Sequence, residues 1–126
     1  HVAPERIVLA GASIGANLAL RAACDSPRLR CALLLSPGWN YQGVTLPDAV
    51  AAYGHPIIFA AAPDDAYSFK SSVEALRLAK SRDGAFLRAA KGHGVGMLDG
   101  PANKAFADEL FAKLAELAGA VGASPK

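Results

Sequence analysis

The sequence predicts an α/β domain of three layers, α/β/α, with a mostly parallel sheet of about four strands. Two observations predict it. Four short runs read as strands, and the first, Arg6 to Ala10, is apolar on both faces, which is the pattern of a strand buried in a parallel sheet. These runs alternate with stretches of helical character along the whole chain, and alternation of this kind calls for right-handed crossovers with helices on both faces. A third observation sets the size: 126 residues, 52% of them hydrophobic, suffice for one domain with a substantial core.

His1 to Glu5 is a short lead-in. Arg6 to Ala10 (Arg-Ile-Val-Leu-Ala) reads as the first strand, and Ser13 to Cys24, rich in Ala and Leu, as the first helix. Asp25-Ser26-Pro27 breaks that helix. Arg30 to Leu35 is the second strand, ended by Ser36-Pro37-Gly38, and Trp39, Asn40 and Tyr41 follow in an irregular segment. Asp48 to Tyr53 reads as a short helix and Ile57 to Ala61 as the third strand. Ser68 to Ser81 has helical spacing at Val73, Leu76 and Lys80, with Leu78 and Ala79 beside them. Asp83-Gly84 turns the chain into a fourth strand, Ala85 to Ala89. The last helix is expected over 102–117, with Phe106, Leu110, Phe111 and Leu114 as its apolar stripe, and 119–126 as a frayed tail. No repeat or linker divides the chain, so residues 1–126 read as a single domain.

Composition narrows the function classes. The net charge is +2 and no basic run occurs, which argues against nucleic acid as a partner. No apolar stretch is long enough to predict a membrane span. The chain opens almost directly into a strand, so no targeting segment is expected, and the compartment stays open between cytoplasmic and secreted. Cys24 and Cys31 have no metal-type spacing; a bridge between them is conceivable, but two small buried side chains is the simpler reading.

The chemistry concentrates at strand ends. Gly11-Ala12-Ser13-Ile14-Gly15 joins the first strand to the first helix. Strand, Gly-x-Ser-x-Gly, helix is the setting of a nucleophile elbow, a sharp turn that holds the serine in a strained conformation at its tip. Large side chains at Gly11 or Gly15 are expected to collide with neighbouring backbone. The plainer alternative is an ordinary turn with Ser13 capping the helix. Asp64 and Asp65 follow the third strand and His93 follows the fourth, flanked by Gly92 and Gly94. In an open parallel sheet all these positions emerge on one rim, where ligands bind.

The residue types suit nucleophilic catalysis. A serine hydroxyl needs a base at neutral pH, an imidazole can take the proton and return it to a leaving group, and a carboxylate fixes the imidazole tautomer. The Ile14 N–H, just after the serine, is placed to donate to an oxyanion. One of Asp64 and Asp65 is expected to orient His93 while the other caps the next helix. Trp39 and Tyr41 lie on the same rim and could line an acyl pocket or pack in the core. His55, at the opposite strand end, reads as structural, His1 as terminal and mobile, and Met97 and Leu98 as core.

Taken together, Gly11 to Asn17, Leu35-Ser36-Pro37-Gly38, Ala60 to Ser68 and Gly92 to Leu98 resemble the carboxyl-terminal half of an α/β-hydrolase. The flavour is similar to dienelactone hydrolases and small esterase-like proteins, and the likeness covers nearly the whole chain. The resemblance implies a truncated form of that fold, with Ser13 as nucleophile, His93 as base and acid, Ile14 as one oxyanion donor, and Asp65 rather than Asp64 as the acid. It implies a serine hydrolase acting on a small-molecule ester, with no metal or organic cofactor.

The same resemblance implies that several strands before the elbow are missing, together with a loop carrying the second oxyanion donor. Loss of one such donor costs about 100- to 1000-fold in turnover. Strand 6–10 then becomes an edge, and an apolar edge invites a partner: another copy of the chain in a homo-oligomer, or the missing amino-terminal half. A different class of function is a non-catalytic fragment kept for binding or assembly. Acyl transfer to an acceptor other than water would use the same residues.

Overall fold

The computed structural model describes residues 1–123, and side chains as far as residue 117. Four strands form a parallel sheet in the order β1-β2-β5-β6: β1 (Val8–Ala12), β2 (Cys31–Leu35), β5 (Ile57–Ala61) and β6 (Ala85–Arg88). Between β2 and β5 lie β3 (Asn40–Tyr41) and β4 (Val44–Thr45), paired antiparallel in a small second sheet. The helices are α1 (Ile14–Cys24), α2 (Pro47–Ala52), α3 (Ala66–Leu76) and α4 (Lys104–Ala123). The three-layer expectation holds, with β1 at one edge of the sheet.

Strand geometry divides the core. Successive side chains point to opposite faces, so Ala32, Leu34, Ile57 and Phe59 pack with α1, α2 and α3 on one side. Cys31, Leu33, Leu35, Ile58 and Ala60 pack with Phe106, Leu110 and Leu117 of α4 on the other. All residues of β2 and β5 are buried, whereas β1 and β6 at the edges are only partly so. Each fully buried Leu or Phe contributes about 1.5–3 kcal/mol.

Several boundaries differ from the sequence reading, each for a packing reason. β1 begins and ends two residues later than expected. Pro4–Arg6 forms a 3-10 turn, and the small residues Gly11 and Ala12 continue the ladder opposite Leu34 and Leu35. The segment after Trp39, read as irregular, contains the β3–β4 hairpin, which turns through Gln42 and Gly43, both at positive φ (53° and 89°). Two consecutive left-handed residues suit a tight hairpin.

Helix α3 ends at Leu76, five residues early, and its buried face carries Ser68, Ser71, Ser72 and Ala75 rather than Val73 and Leu76. In α4, Phe106, Leu110 and Leu117 are buried while Phe111 is 61% exposed. The helix also continues through the first part of the expected tail to Ala123; residues 124–126 lie outside the described residues. Met97 is core as expected, but Leu98 is exposed. Cys24 and Cys31 are both free thiols. No helix among the described residues is long and apolar enough to cross a membrane.

Candidate active site

Ser13 stands where β1 gives way to α1. Its N–H donates to Leu35 O at 2.8 Å, extending the β1–β2 ladder by one bond. Its backbone sits at φ 58°, ψ −130°, a region that a non-glycine residue occupies only when its surroundings hold it there. The close approach of strand and helix explains Gly11: a Cβ there would lie 2.1 Å from Gly15 O. The same reason fails at Gly15, where a Cβ meets nothing within 4 Å. Ser13 occupies the N-cap position, yet its hydroxyl makes no capping bond.

Instead, Ser13 Oγ lies 2.9 Å from His93 Nε2. His93 Nδ1 lies 2.5 Å from Asp65 Oδ2. An ionised carboxylate only accepts, so Nδ1–H donates to Asp65 and, in the neutral ring, Nε2 is left as the acceptor for the Ser13 hydroxyl. The Asp65 side chain is 19% exposed and that of His93 48% exposed, so the acid is shielded while the ring remains open on one side. The first N–H groups of a helix have no intrahelical acceptor, and that of Ile14, beside Ser13, is one of them.

The two aspartates divide their work differently from the expectation. Asp65 contacts His93 through Oδ2 and also caps α3, with Oδ1 accepting from Ser68 N at 3.5 Å. Asp64 caps nothing: its two oxygens accept the Gly92 N–H, at 3.0 and 3.2 Å.

The loop carrying His93 is held along its backbone. Ala89 N continues the sheet to Ala61 O. Ala90 N and Lys91 N donate to Asn103 Oδ1, while Asn103 Nδ2 donates to Lys91 O and Asp99 O. Gly94 N donates at 2.8 Å to the hydroxyl of Ser36, the buried residue after β2. Gly92 and Gly94 both have positive φ (108° and 61°), a backbone that favours glycine on each side of His93.

Trp39 and Tyr41 are separated by the structure. Trp39 is 36% exposed and lines an open cavity of about 320 Å³ with Tyr67, Lys70, Ser71 and Glu74. Tyr41 turns inward: its hydroxyl donates to Ser36 O at 3.2 Å and lies 2.9 Å from Ser68 Oγ, and its ring packs over Gly38. His55 Nε2 lies 2.5 Å from Pro27 O, away from this rim.

Sequence reasoning gave no role to Asn17, Ser36 or Asn103, all buried polar residues. Asn17 Nδ2 donates to Gly38 O and Val44 O while its Oδ1 accepts from Gly38 N, pinning the Trp39 segment and the hairpin to α1. An asparagine among Ala and Leu in the first turns of α1 is the available signal; Ser36 shows in the sequence only as a strand-ending residue within Leu35-Ser36-Pro37-Gly38. Among the described residues no group of three or more His, Cys, Asp or Glu gathers as a metal site.

No family model and no curated protein sequence matches this chain. Solved structures do. The esterase domain of a Rhodothermus marinus protein is similar at a TM-score of 0.65 and 16% identity, over 90% of this chain and 58% of that one. A Klebsiella pneumoniae protein assigned as a dienelactone hydrolase is similar at 0.64 and 16% identity, over 89% of this chain and 52% of that one. The chain thus spans a little over half the length of both. These likenesses identify the fold as α/β-hydrolase-type.

Proposed function

We propose that this chain is a serine hydrolase that cleaves carboxylic esters or related acyl substrates through a covalent acyl-enzyme. The observation that carries the reading is the continuous contact from Asp65 Oδ2 through His93 to Ser13 Oγ, at 2.5 and 2.9 Å. The fold it shares with an esterase domain and a dienelactone hydrolase supports it.

In the first step Ser13 Oγ attacks the acyl carbon while His93 Nε2 takes the hydroxyl proton. The carbonyl oxygen becomes an oxyanion facing the Ile14 N–H and the positive end of α1. His93 then gives its proton to the departing alcohol oxygen as the carbon–oxygen bond breaks, leaving the acyl group on Ser13. Water attacks the acyl carbon, loses a proton to Nε2, and the acid departs as Ser13 recovers its hydrogen. Asp65 keeps Nδ1 protonated throughout and stabilises the imidazolium.

The test is reaction with a fluorophosphonate probe, read by intact mass. The expected result is a single adduct, absent in Ser13→Ala and strongly slowed in His93→Ala. A folded chain that forms no adduct overturns the reading and favours a non-catalytic binding role.

A further inference from the structure

We infer that Ser36 and Asp64 are positioning residues that clamp the His93 backbone from both sides, and so set the distance from Nε2 to Ser13 Oγ. The inference rests on the hydrolase reading. Its structural basis is the pair of N–H groups flanking His93: Gly92 N is held by the Asp64 carboxylate, and Gly94 N by Ser36 Oγ.

The two tethers start from different strands. Ser36 follows β2, where its own N–H continues the ladder to Ala60 O at 2.7 Å. Asp64 follows β5, one residue before the aspartate that contacts the ring. Ser36 therefore ties one end of the His93 segment to the buried sheet core, and Asp64 ties the other to the loop after β5, neither through the ring's own bond to Asp65.

Ser36 has the features of a residue held for its hydroxyl. It is fully buried, and its φ of 54° is one that glycine would adopt at less cost. Glycine, however, would leave the buried Gly94 N–H without its acceptor. The Ser36 hydroxyl hydrogen is directed to Met97 Sδ at 3.7 Å, which leaves the oxygen's lone pairs for Gly94. Asp64 is the exposed partner, and solvent competes for its bond, so Ser36 is the stronger tether.

His93 itself is in extended backbone, but the glycine on each side leaves the direction of the segment to outside contacts rather than to local stereochemistry. An error of about 1 Å in placing a catalytic group costs on the order of a hundredfold in rate. The clamp acts on the reacting step, not on substrate capture.

The experiment measures fluorophosphonate labelling against probe concentration, separating the maximal rate from the half-saturating concentration. Ser36→Ala is expected to lower the maximal rate by about ten- to a hundredfold with the half-saturating concentration within about twofold. Ser36→Gly, which removes the backbone strain, provides the second variant and is expected to lose as much. Asp64→Ala loses less, and Asp64→Asn recovers most of it, because an amide oxygen still accepts the Gly92 N–H.

Hydrogen exchange gives an arm independent of activity. The Gly94 amide is expected to exchange faster in both Ser36 variants, and the Gly92 amide in Asp64→Ala. Labelling at the parent rate in Ser36→Gly and Asp64→Ala, or unchanged exchange at both glycines, overturns the clamp while leaving the hydrolase reading intact. Absence of any adduct in the parent chain overturns that reading instead, and the exchange rates still judge the clamp.

Discussion

His93 Nε2 stands 2.9 Å from Ser13 Oγ across 80 positions of sequence, and its other ring nitrogen faces Asp65 rather than Asp64. The orientation makes the two aspartates unequal. In Asp65→Asn the amide nitrogen can face Nδ1, favouring the tautomer with the proton on Nε2, which then cannot accept from Ser13. The fluorophosphonate reaction is expected to slow by about 10³- to 10⁴-fold, the scale of losing the correct tautomer. Asp64→Asn is expected to stay within severalfold of the parent. The second-order labelling rates of the two variants check this, and the reverse ranking would move the acid's role to Asp64.

Two glycines of one motif should tolerate alanine very differently. A Cβ at Gly11 would sit 2.1 Å from Gly15 O, backbone that cannot move without parting β1 from α1. Gly11→Ala is expected to destabilise the fold by about 1–3 kcal/mol or more, as overpacking does. Gly15, inside α1, has open space, and alanine there gains up to about 1 kcal/mol of helix propensity. Denaturant midpoints of the two variants measure the contrast. Equal losses would contradict the open space at Gly15 and show that stability depends on both glycines.

Asn17, fully buried, links α1 to Gly38, next to Trp39, through two hydrogen bonds and to Val44 of β4 through a third. Asn17→Ala leaves Gly38 N–H and two carbonyls without their partner. The expected cost is about 1–3 kcal/mol. The Trp39 indole, partly exposed in the parent, should show an altered emission spectrum in the folded variant. A variant with parent stability and an unchanged spectrum would mean that the segment is held by its other bonds, such as Trp39 N to Ser71 Oγ.

Burial pushes the Cys31 thiol up to about 11, and the Cys24 thiol is raised chiefly by burial as well. In the unfolded chain a thiol ionises near 8.5. The folded state therefore holds the Cys31 proton more tightly, and its contribution to stability is complete below about pH 8.5 and lost as pH rises towards 11. Tyr53, raised by desolvation, adds to the loss at the upper end of that window. Unfolding midpoints recorded from pH 7 to 11 should fall on this limb, and less steeply in Cys31→Ala. Alkylation at pH 8 should modify Cys24 before Cys31, which reacts at the unfolded-chain rate only in denaturant. Prompt labelling of Cys31 in the folded protein would contradict its burial.

Much of the fold was legible because its signals are local. Cys31–Leu35 and Ile57–Ala61 are apolar on both faces, and a run of that kind is satisfied only inside a parallel sheet. Helix α3 was harder. Its hydrophobic spacing pointed to Val73 and Leu76, yet the buried face carries three serines; Ser68 bonds to Tyr41 and Ser71 to the Trp39 backbone, while the Ser72 hydroxyl is buried without a partner among the described residues. The partners of Ser68 and Ser71 lie 27 and 32 positions away, so no window of sequence reveals them. The β3–β4 hairpin escaped for a related reason: strands of two residues are too short to show a period.

The sequence by itself determined that Ser13, the Asp64–Asp65 pair and His93 follow three strands of one parallel sheet, and that glycine flanks the serine and the histidine. Strand order along the chain and the alternation with helices suffice for that, since parallel strands end on one rim. Only the tertiary structure decided which carboxylate meets the ring, that Ser36 and Asp64 hold the flanking amides, and that Tyr41 turns inward while Trp39 faces the cavity. Those outcomes turn on directions and separations of a few tenths of an ångström between residues distant in sequence. Propensity and periodicity report the direction of a side chain relative to its own strand or helix, whereas a contact requires the placement of two elements relative to each other.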